Sequence, residues 1–496
     1  MRHGKKLVLV IDCGATSVRA AAVDERGTIV RIQARPNAAR LQRADRPWLV
    51  WDLEDIWEKM LSCAAAVVHG TGRERFAAIS VVTFSDDGAP FDRGGRMLYP
   101  VISWHCPRTA ALAESVRARS DFSSIFRLCG EQPLHQHTLM RLLWLREHEP
   151  RVYERVHRYL MLPGIIHERL TGTAVNDPTT ADSMMLMDIR KRAYSGDLMK
   201  TFGIDPGFFP PLVEPGTVTG RLLPAVAHAI GLAGPIPVVA AGHDTQFAVY
   251  GSGCAPGAAV LSSGTWEILF TRAARPLTGA GALRAGIKNE CDAEPGLFNV
   301  GTQWIGGGVL ERIKAGGVDD RTVREAATLS PGCRGLWFEP SLLPGPGNRG
   351  LPAGSVLGLD MRTSPAEVYR AALEGFSFTL RAALEGIERA SMKKISALTI
   401  VGGGSANSTW NRIRADVLDR PIVIAGQKES TVLGAAMFAF AGAGLYGSAG
   451  EARAAFNIRG AVVEPGAARN TYADLFGLYM ERIESLRKAY RLSGHV

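Results

Sequence analysis

One pattern occurs twice in this chain and constrains its fold more than any other feature. Leu7-Val8-Leu9-Val10-Ile11 is a β-branched-rich run that reads as a central strand. Asp12-Cys13-Gly14-Ala15-Thr16-Ser17 is turn chemistry, and Val18 to Val23 is a second strand. Ala258 to Ser262, Ser263-Gly264-Thr265 and Trp266 to Phe270 repeat the strand, the small-residue turn and the strand. A hairpin cannot stand alone in water, so each copy must belong to a larger sheet. Two copies predict two domains of like fold facing each other. The boundary is expected near residues 245–257, giving domains 1–250 and 251–496.

The other elements can be read in order. Ile29 to Ala34 extends the first hairpin into an antiparallel meander, which is not a Rossmann start. Leu53, Ile56, Trp57, Met60 and Leu61 mark one face of a helix with acids in its first turn. Phe76 to Thr83 reads as a strand ending at Phe84-Ser85-Asp86-Asp87-Gly88, and Tyr99 to Trp104 as a short strand. Residues 108–200 read as largely helical, with Thr138 to Glu147 the clearest helix. Pro237 to Ala241 is a buried strand that stops at Gly242 and delivers Asp244 at its carboxyl end. Gly301 to Gly308 reads as a glycine-rich connection and Ser341 to Gly354 as a proline/glycine loop. Ser364-Pro365-Ala366-Glu367 is a capping box with proline at the first helical position, opening a helix to about Ala390. Ala397 to Val401 is a strand, Gly402 to Ser405 its turn and Asn407 to Leu418 the next helix. Pro421 to Ala425, Leu433 to Gly442 and Tyr472 to Arg491 complete the pattern as strand, apolar helix and amphipathic helix.

The totals exclude several classes. At 46% hydrophobic and 21% charged residues the chain is an ordinary globular one. The net charge of +9 is dispersed, without a basic tail or basic runs among aromatics. It can draw in an anionic ligand but argues against a nucleic-acid partner. The seven cysteines are odd in number and widely spaced, so neither a disulfide framework nor a zinc site is expected, and the cytoplasm is the expected compartment. The apolar run Leu7 to Ile11 is too short for a signal peptide. Val432 to Tyr446 is too short for a membrane span, so no membrane partner is expected.

Several groups could carry chemistry. In Asp12-x-Gly14-x-Thr16 the glycine lets backbone N–H groups approach phosphate oxygens, while the Thr16 and Ser17 hydroxyls add donors. A carboxylate beside phosphates calls for a divalent cation, which makes Asp12 a candidate Mg²⁺ partner. An ordinary hairpin turn explains the same residues. Ser263-Gly264-Thr265 offers equal donors without the acid. Gly402-Gly403-Gly404-Ser405 could admit a nucleotide between strand and helix, or simply make a sharp turn. Gly345 to Gly350 formally matches G-x-G-x-x-G, but it is prolyl and follows no strand. Asp244 fits a general base at a strand end, or a helix N-cap. Asp86 and Asp87 could bind sugar hydroxyls, and as neighbours they should point to opposite sides. Trp104 could stack on a sugar face, and His243 adjoins the candidate base.

In combination and in this order, the motifs resemble the FGGY family of carbohydrate kinases, within the actin-like ATPase superfamily. The resemblance spans Leu7 to about Ala449. It rests on Asp12 to Ala20, the Asp244 stretch, Ser263 to Glu267, Gly402 to Ser405, and Thr138 to Leu145 with Arg141 where the family usually has lysine. The resemblance implies an α/β fold of two ribonuclease-H-like (actin-like ATPase) domains about a central cleft. It implies ATP and Mg²⁺, a sugar as the small-molecule partner, and a homodimer as a candidate assembly. ATP-binding residues would be Gly14, Thr16, Ser17, Arg19, Gly264, Thr265, Gly307, Gly308, Gly402, Gly403, Gly404, Ser405 and Asn407. Asp12, through water, and Asp244 would face the metal. Sugar would lie mainly on the N-terminal domain, near Asp86, Asp87, Trp104, His243, Thr245 and Gln246, with Gln246 the expected direct contact among the three neighbours of Asp244. Asp244 would take the proton from a ketose primary hydroxyl as it attacks the γ-phosphate.

Within the family, Thr83-Phe84, Tyr99 to Thr109, Ala241 to Phe247, Leu261 to Leu269 and Gln303-Trp304 are similar to members acting on L-fuculose. L-rhamnulose, D-ribulose and D-xylulose are the alternatives. Those similar members carry Gly-Val where this chain has Ser85-Asp86, which adds an acid where the sugar should sit. A phosphohydrolase of the same superfamily and a nucleotide-dependent scaffold would use the same paired hairpins. Neither explains Asp244 with the strand-end groups Asp87 and Trp104 on one side of a cleft.

Overall fold

A computed structural model describes residues 6–72, 75–341, 354–456 and 458–492. The loop 342–353, with the Gly345–Gly350 match, lies outside the described residues.

Two sheets organise the chain. The first is six-stranded. Its strands are β1 (Leu7–Cys13), β2 (Ser17–Asp24), β3 (Ile29–Pro36), β4 (Phe76–Thr83), β5 (Val218–Arg221) and β6 (Pro237–Val239), in the order β5-β6-β4-β1-β2-β3. The meander β1-β2-β3 is antiparallel, β1, β4 and β6 are parallel, and β5 returns antiparallel. The second is seven-stranded. It comprises β7 (Ala259–Ser263), β8 (Trp266–Ala273), β9 (Lys288–Cys291), β10 (Phe298–Ile305), β11 (Leu398–Val401), β12 (Ile422–Ala425) and β13 (Gly460–Val463), in the order β9-β10-β8-β7-β11-β12-β13. This is the two-domain actin-like ATPase fold.

The alternation rules explain the central strands. Every residue of β1 is buried, because both faces of the sheet are covered. Leu9 and Ile11 face a core with helix α1 (Leu53–Thr71). Val8 and Val10 face a second core with two later helices, α3 (Asp244–Gly251) and α7 (Ser430–Gly442). Helix α7 thus belongs to the second half of the sequence but packs on the first sheet. It crosses α3 where two glycines meet: a Cβ at Gly251 would overlap the Ser430 carbonyl, and one at Gly434 the Phe247 carbonyl. Truncating a side chain such as Leu9 to alanine in such a core costs about 2–5 kcal/mol.

Three local expectations change. The strand expected over Tyr99–Trp104 is reduced to Val101–Ile102. Residues 108–200 are helical in pieces, interrupted by strands at Arg158–Met161, Met187–Asp188 and Ala193–Tyr194; Arg158–Met161 pairs with Gly88–Phe91. Gly301–Ile305 is the end of strand β10, not a connection. A Cβ at Gly301 would overlap the Leu269 carbonyl on β8, so that glycine marks a close strand approach rather than a turn. The capping box at Ser364–Glu367 forms as read and opens the long helix Pro365–Ser391.

Candidate active site

The carboxyl ends of the parallel strands β1, β4 and β6 meet at one edge of the first sheet. Thr83 N donates to the Gly242 carbonyl at 2.9 Å, and Phe84 N to the Cys13 carbonyl at 3.2 Å. In open α/β sheets this edge is where ligands bind. A cavity of about 200 Å³ opens there. Its lining includes Ala15, Phe84, Asp86, Trp104, Glu131, Gln136, His137, His243, Asp244 and Thr245 from the first half. Trp266, Ile268, Lys288, Glu290 and Gln303 come from the second sheet. Both domains therefore wall the cavity, although sugar was expected mainly on the first.

Asp244 opens helix α3. The N-cap is His243, whose side chain makes no capping bond. Asp244 is thus not the cap, but it stands in the first turn, where the helix dipole favours an anion. Its side chain is 26% exposed, and Oδ1 accepts from the Thr245 hydroxyl at 3.1 Å. Burial, then the charge of Asp12, pushes its carboxyl up to about 7. Asp12 itself is 3% exposed at the end of β1. Burial pushes it up to about 6 against the opposing pull of Arg19, whose Nε lies 3.4 Å away. Arg19 also pairs with Glu429 at 2.5 Å, so its charge is shared.

His243 lies between two acids: Nε2 is 3.5 Å from Asp244 Oδ1 and Nδ1 is 3.5 Å from Glu290 Oε2. Burial lowers its pKa to about 4, which keeps the ring neutral. Gln246 is fully buried behind it. The Gln246 amide donates to Glu290 and accepts from Asn299, so it ties α3 to strands β9 and β10 rather than lining the cavity. Gly242 is required by packing, since a Cβ there would overlap Asp177 and Thr179.

The two adjacent acids diverge in the bend that follows the strand Phe76–Thr83. Asp87 is fully buried and spent on protein groups: Oδ1 accepts from Arg141 at 2.5 Å, and Oδ2 from Trp51 Nε1 at 2.5 Å and Trp104 N at 3.1 Å. It positions Trp104, which faces the cavity, and does not itself line it. Asp86 does line it, with a left-handed backbone (φ 72°). Its carbonyl accepts from Thr138 Oγ1 at 3.1 Å and from Arg141. Burial raises its carboxyl to about 7.

The glycine motifs of the second domain converge. Gly307 N donates to the Gly264 carbonyl at 3.0 Å, and Gly308 N to the Thr265 carbonyl at 3.1 Å, at the start of helix α4 (Gly307–Ala315). Gly402, at φ 86°, and Gly404 press on Ser263, where any Cβ would collide. Ser263 donates to Glu267 at 2.5 Å and accepts from the buried Arg414 at 3.0 Å, which fixes the turn. Ser405 Oγ donates to the Gly402 carbonyl at 2.6 Å. The Asn407 side chain is used as the N-cap of Ser408–Leu418, accepting from Trp410 N at 3.0 Å. In the first hairpin Gly14 N donates to the Ser17 carbonyl at 3.0 Å, which leaves Thr16 exposed at the tip.

The residues that distance in sequence concealed are Glu131, Gln136 and His137 from the helical region and Lys288, Glu290 and Gln303 from β9 and β10. No spacing links them to Asp244. Among the described residues, no group of three or more His, Cys, Asp or Glu could hold a metal ion, and no helix is long and apolar enough to cross a membrane.

Residues 7–251 match the N-terminal domain, and residues 259–443 the C-terminal domain, of the FGGY family of carbohydrate kinases. The chain is 38% identical over 455 residues to the L-fuculokinase of Escherichia coli (strain K12), covering 91% of this chain and 95% of that one. It is 35% identical to the L-fuculokinase of Haemophilus influenzae, covering 89% and 95%. Among solved structures, a xylulose kinase from Rhodospirillum rubrum superposes with a TM-score of 0.87 at 22% identity, covering 99% of this chain and all of that one. These likenesses and the two-walled cleft agree: the chain belongs to the FGGY family of carbohydrate kinases and is an ATP-dependent sugar kinase, a phosphotransferase with an alcohol group as acceptor.

Proposed function

We propose that the protein phosphorylates the primary hydroxyl of a ketose, with L-fuculose and its near relatives as the substrate group and a ketose 1-phosphate as product. The observation that carries this reading is Asp244 on the cavity wall with Asp12 close behind it at the neighbouring strand end, in a cavity whose other lining mixes hydrogen-bonding groups such as Gln136, Lys288 and Gln303 with Trp104 and apolar side chains. The likeness to L-fuculokinases supports the choice of sugar.

The sugar's primary hydroxyl lies against Asp244, which takes its proton as the oxygen attacks the γ-phosphorus and ADP leaves. A carboxyl held near 7 is matched to that task at neutral pH. His243, neutral and fixed between Asp244 and Glu290, holds the base in place. The turns at Gly14–Ser17 and Gly264–Thr265 present N–H and hydroxyl donors to the triphosphate, and the Gly402–Ser405 turn borders the adenosine. Two mutually repelling carboxylates, with one shared arginine, fit a divalent cation bound together with the triphosphate: Asp244 would face it directly and Asp12 through water. Mg²⁺ there would neutralise charge on the transferring phosphoryl group. Closure of both domains on the cavity excludes water and limits wasteful ATP hydrolysis. The seven unpaired, buried cysteines support a cytoplasmic location.

ADP release is measured with L-fuculose, L-rhamnulose, D-ribulose and D-xylulose. At least one should stimulate turnover strongly over ATP alone. Turnover indifferent to every ketose would overturn the reading.

A further inference from the structure

A second cavity, of about 290 Å³, lies in the C-terminal domain outside the active site and is larger than the catalytic one. It opens on the opposite face of the same two strands. On β10, Gln303 lines the active site, while its neighbours Thr302 and Trp304 line the second cavity. At the start of β9, Lys288 lines the active site and the preceding Ile287 the second cavity. Successive residues of a strand point to opposite faces, so the two cavities share one wall. The long helix Pro365–Ser391 closes the second cavity with Ala382, Ile387 and Arg389.

The lining has the character of an anion site. Its charged groups are three arginines, Arg284, Arg389 and Arg487, and one carboxylate, Glu385. The arginines come from three separate helices, Ala280–Arg284, Pro365–Ser391 and Arg469–Leu492. Glu385 is already engaged: Oε1 accepts from Arg381 Nε at 3.0 Å, and Oε2 is 3.7 Å from Arg389. Guanidinium groups from three elements suit the several oxygens of a phosphate. The rest of the wall includes Ile287, Ile387 and Trp304. Trp304 is 5% exposed, and its indole N–H has no hydrogen-bond partner. A buried donor left unpaired is destabilising, and a ligand oxygen would supply the acceptor. Arginines beside an apolar, aromatic wall fit a phosphate carried on a small organic body better than inorganic phosphate alone. A sugar kinase consumes a neutral sugar and releases a phosphorylated one, so this charge pattern separates the product class from the substrate class.

We propose that this cavity is a second, non-catalytic site for a sugar phosphate, and that its occupant alters the affinity of the active site for sugar through the shared strands. The path is short. An occupant against Ile287, Thr302 and Trp304 bears on the backbone that places Lys288 and Gln303, whose side chains are joined at 2.8 Å. The same segment is bound to the first domain: the Leu283 carbonyl accepts from Gln132 at 3.3 Å, and Asn289 N donates to the Gly130 carbonyl at 2.9 Å. The inference rests on sugar-kinase activity and not on which sugar is used.

The test compares the full-length wild type with a double variant, Arg284→Glu with Arg389→Glu. Both side chains are exposed, Arg389 at 71%, and neither lines the catalytic cavity, so the melting temperature and the kcat without added sugar phosphate should stay near wild type. Fructose 1-phosphate is the probe. Calorimetric titration should find a site in the wild type that is weakened about tenfold or more in the variant. In ADP-release assays the probe should change the KM for sugar by about fivefold or more and level off at saturation. Competition at the active site raises KM without limit instead. The variant should lose the levelling effect. Binding that is the same in both proteins, or inhibition that is purely competitive in both, would overturn the proposal. Inorganic phosphate bound at this site as tightly as fructose 1-phosphate would overturn the choice of a sugar phosphate. No turnover of any ketose would overturn the ketose reading, and the calorimetric comparison would still decide the second site.

Discussion

Reading across the first sheet, β3-β2-β1-β4-β6-β5 runs as an antiparallel meander, two parallel neighbours and a returning edge strand. The second sheet repeats it as β10-β8-β7-β11-β12-β13, with β9 added beyond β10. The shared core places a hairpin turn at the same edge of each sheet. The differences divide the labour. The first turn follows an acid, Asp12, and stands near a second, Asp244; the second turn, counted from its glycine, has Ser262 in the place of Asp12. On the proposed function, one hairpin would manage charge at the reacting centre, and the other would offer donors alone. The extra strand β9 does something neither hairpin can. Gly130 accepts from Asn289 N at 2.9 Å, and Asp182 accepts from Cys291 N at 2.5 Å, so the first half of the chain grips this strand and holds Lys288 and Glu290 in the cavity.

The largest effect that would break this comparison lies at Asp244. Asp244→Asn should lower kcat by about 10²–10⁴-fold, the usual worth of a general base, while ATP still binds, with a raised Mg²⁺ requirement. Near-normal turnover, measured as sugar-dependent ADP release, would remove Asp244 from its role. Asp12→Asn should lower kcat by about 10–100-fold, as loss of an outer partner of a metal site does. Its Mg²⁺ requirement should rise in parallel, which a magnesium titration reads directly.

The reciprocal change sharpens the contrast. Ser262→Asp gives the second hairpin the acid of the first, at the turn proposed to face the phosphates. The KM for ATP should rise about tenfold, equivalent to about 1.4 kcal/mol, while the KM for sugar stays near wild type. A larger effect on sugar than on ATP would mean that the two hairpins are not divided in this way.

The smallest effect concerns stability. Asp86 has a folded pKa of about 7 against an ordinary 3.8, so the folded chain holds its proton more tightly. Stability from this group is greatest below about pH 4 and is lost as pH rises through about 7, the reverse of a salt-bridged carboxylate. Asp86→Asn should therefore raise the melting temperature of the ligand-free protein most at pH 8, less at pH 5, and little below about pH 4. Each kcal/mol regained is worth about 2–4 °C in domains of this size. An increase that is the same at every pH would deny the buried charge.

Strand runs, turn glycines and caps are local properties, and the amino-acid sequence alone determined them. The two hairpins, the capping box at Ser364 and the strand that delivers Asp244 follow from residues a few positions apart. The divergence of Asp86 from Asp87 was expected from strand alternation, but it comes from the left-handed backbone of Asp86 in the bend after Thr83. The occupancy of those side chains was not legible. Asp87 is saturated by Trp51, Trp104 and Arg141, and Gln246 by Glu290 and Asn299, through partners far away in the chain. Gly301 read as a turn because the strand it crowds lies elsewhere in the sequence. Glu131 and Lys288 enter the cavity only because β9 is gripped across the two domains. A hydrogen bond or a like-charge repulsion depends on distance in space, and only the tertiary structure decides that distance.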